Sequence, residues 1–567
     1  MIEPGLDAAS QPPEVRAAWS LAARHHLHDG PPRPPPAIAG LGAISNWVPR
    51  ALAAARATDP ENLTAAEWML DNDYLLYRAL RQIRADMPPA FLKRLRALPP
   101  QPVTAAAGRP DHRAGTPRVH AMAQGLLAAS QMQLSLPVCV RFLRAYQDRA
   151  PLDIAELWAF PTMLRVAALE VLIAAVGRCF PAVSLPLSSD QLAELPSGLD
   201  ASECIARAMA TLSVLKMIDW KVVFDASSIV EEVLARDPAG VYLRMEFRSR
   251  DDYRKAVEEI SGLCRQSEYE IAEALIALCA QYPGDGRRSH VGWWLVDEGR
   301  RDFEARLGVR RPLGRRLRLA TGRHAGALYA GALGLAWLGA LAVPAVYLWW
   351  VSAGPLAWAA GIALAVLPAS VLGVTLVNWL VTLLSVPRRL PKLDFRRALA
   401  PDCRTAIAIP ALVSTPDDAS ELARALEAHR LSNPDPLLQF VLLSDHADAQ
   451  TRTLPQDAEV ERALVKAIDG LNARYGDGRG GGPFHLLHRE RLYNPNEGCW
   501  MGWERKRGKL EQLNTLILTG DRDAFPCRAG DTRALRRVRF VLTADADTML
   551  PAGSVNRLVG TLAHPLN

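Results

Sequence analysis

A chain of 567 residues is too long for one hydrophobic core, and its length predicts three to four structural units. Hydrophobic residues make up 49% and charged residues 22%, a globular average that conceals one very apolar block between two charged halves. The net charge of +6 does not point to nucleic acid: the arginines cluster on either side of the apolar block, and no basic stripe interleaved with aromatics occurs. The eight cysteines are scattered without a CxxC pair, which argues against a zinc finger or a disulfide framework and for reduced, buried thiols.

Residues 1–60 are rich in Ala and Pro ("DGPPRPPPAIAG"), a composition that predicts a mobile arm with one short helix. The first thirty residues lack a basic segment followed by an apolar run, so no secretory signal is expected and the N-terminus stays in the cytoplasm. From 61 to 310 apolar residues recur at helical spacing, as in "AAEWMLDNDYLLYRALRQIRADM" and "ELWAFPTMLRVAALEVLIAAV", predicting a helical cytoplasmic domain. Arg165 and Glu170 interrupt the second segment, which favours a packed core helix over a membrane span. Trp68, Tyr74 and Tyr77 are read as core residues rather than a sugar platform.

Residues 325–387 carry no charge, and Gly354 and Pro355 split the run into spans at 325–350 and 356–385. Each can cross a hydrocarbon core of about 30 Å, so two transmembrane helices joined by a hairpin are expected, with Trp349, Trp350 and Trp358 at the interface. Arg310, Arg311, Arg315, Arg316, Arg318 and Arg323 precede the pair, and Arg388, Arg389, Lys392, Arg396 and Arg397 follow it. By the positive-inside rule both soluble parts face the cytoplasm.

From about 400 the pattern alternates strand and helix. "RTAIAIPALV", "LLQFVLLSD" and "RRVRFVLTADAD" read as strands, and "DASELARALEAHRL", 457–474 and 503–517 as helices, the signature of a parallel α/β sheet. The "GDGRGGG" run at 476–482 lacks a GK[ST] ending and is read as a flexible connection rather than a phosphate loop.

Ligands of open α/β sheets collect at the carboxyl ends of strands. Asp445 closes the second predicted strand, and Asp545 and Asp547 close the third, where i and i+2 positions would project to one side. Two such carboxylates suit Mg²⁺ or Mn²⁺ with a substrate diphosphate, although Asp-x-Asp also arises at exposed turns. In "GWERKRGKLEQLN", Arg505, Lys506, Arg507 and Lys509 open a helix where cations and amide dipoles favour phosphate; a solvated basic face is the alternative. His485, His488, Arg489 and Arg491 in "FHLLHRERLYNP" are read as groove-lining rather than as a zinc site.

"WMGWERKRGKLEQLN" followed by "VLTADADTMLPAGSVNRLVGTLAHPLN" resembles the glycosyltransferase region of cyclic β-1,2-glucan synthases, bacterial inner-membrane enzymes. "VRFLRAYQDRAPLDIAELWAFPTMLR", "DPAGVYLRMEFRSRDDYRKAVEEI" and "SHVGWWLVDEGR" resemble the helical region before the membrane spans of that family, so the likeness runs from about 65 to 567. The resemblance implies an α plus α/β membrane protein: a helical domain, a two-helix transmembrane hairpin and an incomplete GT-A-like (Rossmann-like) domain over 400–567. It implies an inverting, processive transferase taking UDP-glucose at the cytoplasmic face and a β-1,2-glucan acceptor. Asp445 would then contact uridine, Lys509 the nucleotide, and Asp545 the ribose or metal. Asp547 would hold the metal and diphosphate, and Asn514 would give structural support. The family's general base lies downstream of its Asp-x-Asp motif and is therefore expected beyond Asn567, as is a phosphorylase-like region. This predicts the front portion of a longer synthase or one half of a split one. A non-catalytic helical membrane scaffold and another processive β-glucan synthase remain alternatives.

Overall fold

The computed structural model describes residues 10–28, 30–57, 63–99, 115–189, 191–309, 324–385, 387, 389–476 and 481–567. The chain divides into two compact units, Met1–Tyr242 with Arg250–Leu307, and Leu243–Ser249 with Gly308–Asn567.

The first unit is built of helices around Ile154–Cys179. This helix is opened by a reciprocal capping box between Asp153 and Glu156. Its most apolar window is 94% buried, so it is the core helix that Arg165 and Glu170 foretold. Its two carboxylates are buried with partners, as interior charges must be. Glu156 takes the Arg118 guanidinium, and Glu170 meets His120 Nε2 at 2.9 Å and Gln124 Nε2 at 3.1 Å.

Two readings need correction here. The expected mobile arm holds, among its described residues, the helices Pro13–Arg24, Pro36–Ala39 and Leu41–Arg56. Ile44, Trp47, Val48, Ala51, Leu52 and Ala55 form a buried stripe at helical spacing, the Ala37 N–H donates to Glu170, and Glu14 takes Arg141 at 2.9 Å. Pro13 and Pro36 start their helices, where the missing N–H costs nothing, so proline content marked helix entries and not disorder. Trp68, Tyr74 and Tyr77 are exposed, while Leu75, Leu76, Leu80 and Ile83 take the inward face.

In the second unit the helices Ala325–Trp350 and Pro355–Leu384 are apolar on every side and almost uncovered by protein, with 0% and 17% of their most apolar windows buried. Both are long and apolar enough to cross a membrane, and surfaces such as Trp349, Trp350, Leu356 and Leu364 suit lipid. They pack closely where a Cβ on Gly373 would lie 3.3 Å from the Trp337 amide nitrogen. The arginines between 310 and 323, Arg388, and residues 477–480 of the glycine run lie outside the described residues.

The α/β part has a mixed five-stranded sheet in the order β6-β3-β2-β1-β7, with β1 Thr405–Val413, β2 Leu438–His446, β3 Phe484–Arg489, β6 Cys527–Ala529 and β7 Phe540–Thr543. All pairings are parallel except β3 with β6. A separate hairpin pairs β4 Leu492–Asn494 with β5 Cys499–Met501. β1 and β2 are continuous apolar runs because helices cover both faces of a parallel sheet. Strand alternation puts Val441, Leu443 and Leu487 under the Arg505–Thr519 helix, and Phe440, Phe484 and His488 on the other face. "FHLLHR" is thus an inner strand of the sheet, not a lining segment.

β7 is shorter than predicted and ends at Thr543, two residues before Asp545. The Ala408 carbonyl accepts from the Ala544 N–H at 3.1 Å, so even-numbered residues of β1 serve the β7 side. The next of these is Pro410, which has no N–H, and the ladder stops there. Asp545 and Asp547 therefore stand in the turn after the strand, and the i, i+2 strand geometry does not apply to them.

Truncating the fully buried indole in Trp47→Ala should destabilise the first unit by about 3 kcal/mol. Thermal unfolding of the detergent-solubilised chain checks this; an unchanged midpoint would return these residues to an arm.

Candidate functional site

β3 ends on Arg489, which faces Asp445, the last but one residue of β2, in register. Arg489 donates twice to Asp445, through Nε at 2.6 Å and Nη2 at 2.8 Å, in the fork geometry that only arginine offers. Lys509, from the Arg505–Thr519 helix, adds its Nζ at 2.9 Å to Asp445 and 2.8 Å to the Ala411 carbonyl. All three side chains are at most 3% exposed. Burial lowers the Lys509 pKa, and Asp445 opposes that shift. One carboxylate faces two buried cations, so the knot carries an uncompensated positive charge.

The guanidinium of Arg489 also fixes the entry to the helix. It donates to the carbonyls of Trp503 at 2.9 Å and Arg505 at 3.1 Å, and to Gln512 Oε1 at 2.8 Å. Glu504 and Arg505 have φ of 50° and 45°, left-handed values that cost non-glycine residues energy and persist only where surroundings impose them. Gly502 precedes this turn because a Cβ there would lie 2.6 Å from the Asp445 carboxyl carbon.

The turn after β7 meets the same helix start. Lys506 Nζ pairs with Asp545 Oδ1, both side chains being exposed. Asp547 is exposed and, among the described residues, has no hydrogen-bond or ion-pair partner. Exposed carboxylates with oxygen donors fit a hard divalent cation. Arg505 pairs with both Asp448 at 3.1 Å and Glu497 at 2.7 Å, offsetting part of their charge.

Of the residues singled out from sequence, the structure thus joins Asp445 with Lys509 in the buried knot, and Asp545 with Lys506 beside it. Asp445 meets cations with both oxygens instead of facing solvent, and Asn514 is exposed on the helix surface. Arg489, Gln512 and Gly502 carry the geometry and were not assigned these parts. The available signal was the acid and arginine at equivalent strand ends. His485 and His488 lie buried on opposite faces of β3, with burial lowering their pKa values to about 4 and about 3. His485 Nε2 pairs with Gln439 Oε1 at 2.9 Å, a core contact.

No family model matches the chain. Among curated proteins it is 30% identical, over 582 aligned positions, to the cyclic beta-(1,2)-glucan synthase NdvB of Rhizobium meliloti (strain 1021). The alignment covers 89% of this chain and 20% of that protein, so the chain spans about a fifth of its relative's length.

Asp445→Asn would leave two buried cations without a counter-charge and should cost about 3 kcal/mol or more, read as a lowered unfolding midpoint. His485 stays neutral in the fold down to about pH 4, whereas the unfolded chain protonates it below 6.5. Its contribution is therefore intact above pH 6.5 and is lost as the pH falls towards 4. Stability measured across that window should decline less steeply in His485→Gln.

Proposed function

Because this chain is a relative of a cyclic β-(1,2)-glucan synthase, we propose that its α/β part is the donor-binding portion of a membrane-bound inverting glucosyltransferase. It takes UDP-glucose with Mg²⁺ or Mn²⁺ and extends a β-1,2-glucan. The observation that carries this reading is the Lys506–Asp545 pair, which brings the acidic turn after β7 to the cationic start of a helix. A doubly covered, mostly parallel sheet with a carboxylate pair beyond a strand end supports a GT-A-like fold.

An inverting transfer breaks the bond between the anomeric carbon and the diphosphate, so negative charge grows on the departing UDP. Asp545 and Asp547 would hold the divalent ion, whose chemistry is to neutralise that diphosphate. Lys506 keeps Asp545 in place and stands ready to turn its ammonium to a phosphate oxygen. The Arg505 and Gly508 amides already donate to the Gly502 and Glu504 carbonyls, so of the first turn of the Arg505–Thr519 helix the Lys506 and Arg507 amides would add donors at its positive end. Arg489 and Lys509 supply buried positive charge from beneath, with Asp445 fixing their positions, and the strained Glu504–Arg505 turn keeps the helix start presented. These residues perform the donor half of the reaction.

The two uncovered apolar helices support an inner-membrane location, and the arginines and lysines on both flanks support cytoplasmic placement of both soluble parts. Calorimetry of UDP binding to the full chain in detergent tests the reading. Manganese-dependent binding is expected, weakened at least about tenfold, or 1.4 kcal/mol, in Asp547→Ala and in Lys506→Ala. Equal UDP binding by wild type and Asp547→Ala, with and without manganese, would remove the metal assignment. No binding under any condition would favour a membrane scaffold.

A further inference from the structure

The face of the sheet opposite Asp445 and Lys509 carries a second constellation. His446 closes β2, His488 stands on β3 beside Ser444 of β2, and Glu461 reaches over from the Asp457–Tyr475 helix. One ring nitrogen of each histidine and one oxygen of Glu461 lie within 4.8 Å of one another. His446 is 5% exposed and His488 0%.

The outer nitrogens are already spoken for. His488 Nδ1 meets Ser444 Oγ at 2.8 Å, and His446 Nδ1 lies 3.5 Å from Asp457 Oδ1. Asp457 is itself fixed by Arg491 at 2.5 Å and by the Leu454 N–H at 2.7 Å. A polar group facing Nδ1, the Ser444 hydroxyl for His488 and the nearby Asp457 carboxylate for His446, is how proteins orient an imidazole to ligate through Nε2. His446 Nε2 is 3.3 Å from Glu461 Oε1, and His488 Nε2 is buried with no hydrogen-bond partner among the described residues. An orphaned nitrogen beside a second imidazole and a carboxylate is costly as a core feature and favourable as a ligand.

We infer that His446, Glu461 and His488 form a transition-metal site of zinc type on the face of the sheet away from the acidic turn. Two imidazoles and a carboxylate are an established zinc donor set, and they differ from the all-oxygen set that Mg²⁺ prefers. The ion would tie the end of β2, β3 and the overlying helix together. Cys527 of β6 is the register partner of His488, and the fourth position of a tetrahedron would go to its thiol or to water. Glu461 is 39% exposed in its side chain, which leaves an entry from solvent.

The test uses the full chain in detergent with Asp545→Asn and Asp547→Asn, so that the acidic turn cannot hold the ion and loss of nucleotide binding cannot confuse the result. After dialysis against zinc and then buffer, elemental analysis should find one zinc per chain. Competition with a chromophoric chelator should show affinity falling at least about tenfold in Glu461→Gln, a change at a half-exposed position that spares the strands. Cobalt loaded in place of zinc should give the visible absorption of a tetrahedral centre, lost in the same variant. No retained zinc, or equal zinc affinity with and without Glu461, would overturn the site.

Discussion

Asp445 is the carboxylate around which the α/β part is organised. It pairs with Arg489 from the neighbouring strand and with Lys509 from the covering helix, and neither cation would be tolerated in the interior without it. Through Arg489 the same carboxylate reaches the backbone of Trp503 and Arg505, so the strained turn at the helix entry inherits its geometry from the end of β2. Charge complementarity here does what apolar packing cannot: it sets direction and register at a strand end, where the sheet opens to ligands.

Alternation along β2 and β3 lets the sheet serve two chemistries. Residues 445 and 489 point to the helix with the cationic start, while 444, 446 and 488 point to the opposite helix, where imidazoles gather. The first side has excess positive charge and an exposed acid pair beside it, a setting for a diphosphate and a hard ion. The second is buried, nearly neutral and nitrogen-rich.

Much of this was legible in the chain. β1 and β2 announce themselves as unbroken apolar runs, the core helix of the first unit by its length and its two interrupting charges, and the uncovered pair by the absence of charge over both spans. What escaped was long-range. Nothing local to Asp545 reveals that β7 must stop before it; the cause is Pro410, far away in sequence and adjacent only once β1 and β7 pair. The Asp445–Arg489 contact is likewise a fact of register. β3 was obscured by histidines that are polar in composition but buried and neutral in place. In the N-terminal sixty residues, prolines at helix starts imitated a disordered composition.

The short segment Leu243–Ser249 belongs to the second unit although the first unit's chain surrounds it on both sides. Met245 bridges to Leu393, the Glu246 N–H donates to the Lys392 carbonyl, and the Asp394 N–H donates to the Arg244 carbonyl. The units are therefore interleaved in the order of synthesis. Met245 leaves the ribosome roughly 150 residues before its partner, a wait on the order of ten seconds at about 5–20 residues per second. Throughout that interval both long apolar helices must be made and delivered. The helical unit can close around its own core early, but Met245 and Glu246 wait for Leu393 and Lys392 until the segment beyond the apolar helices arrives, so this join within the second unit is paced by translation.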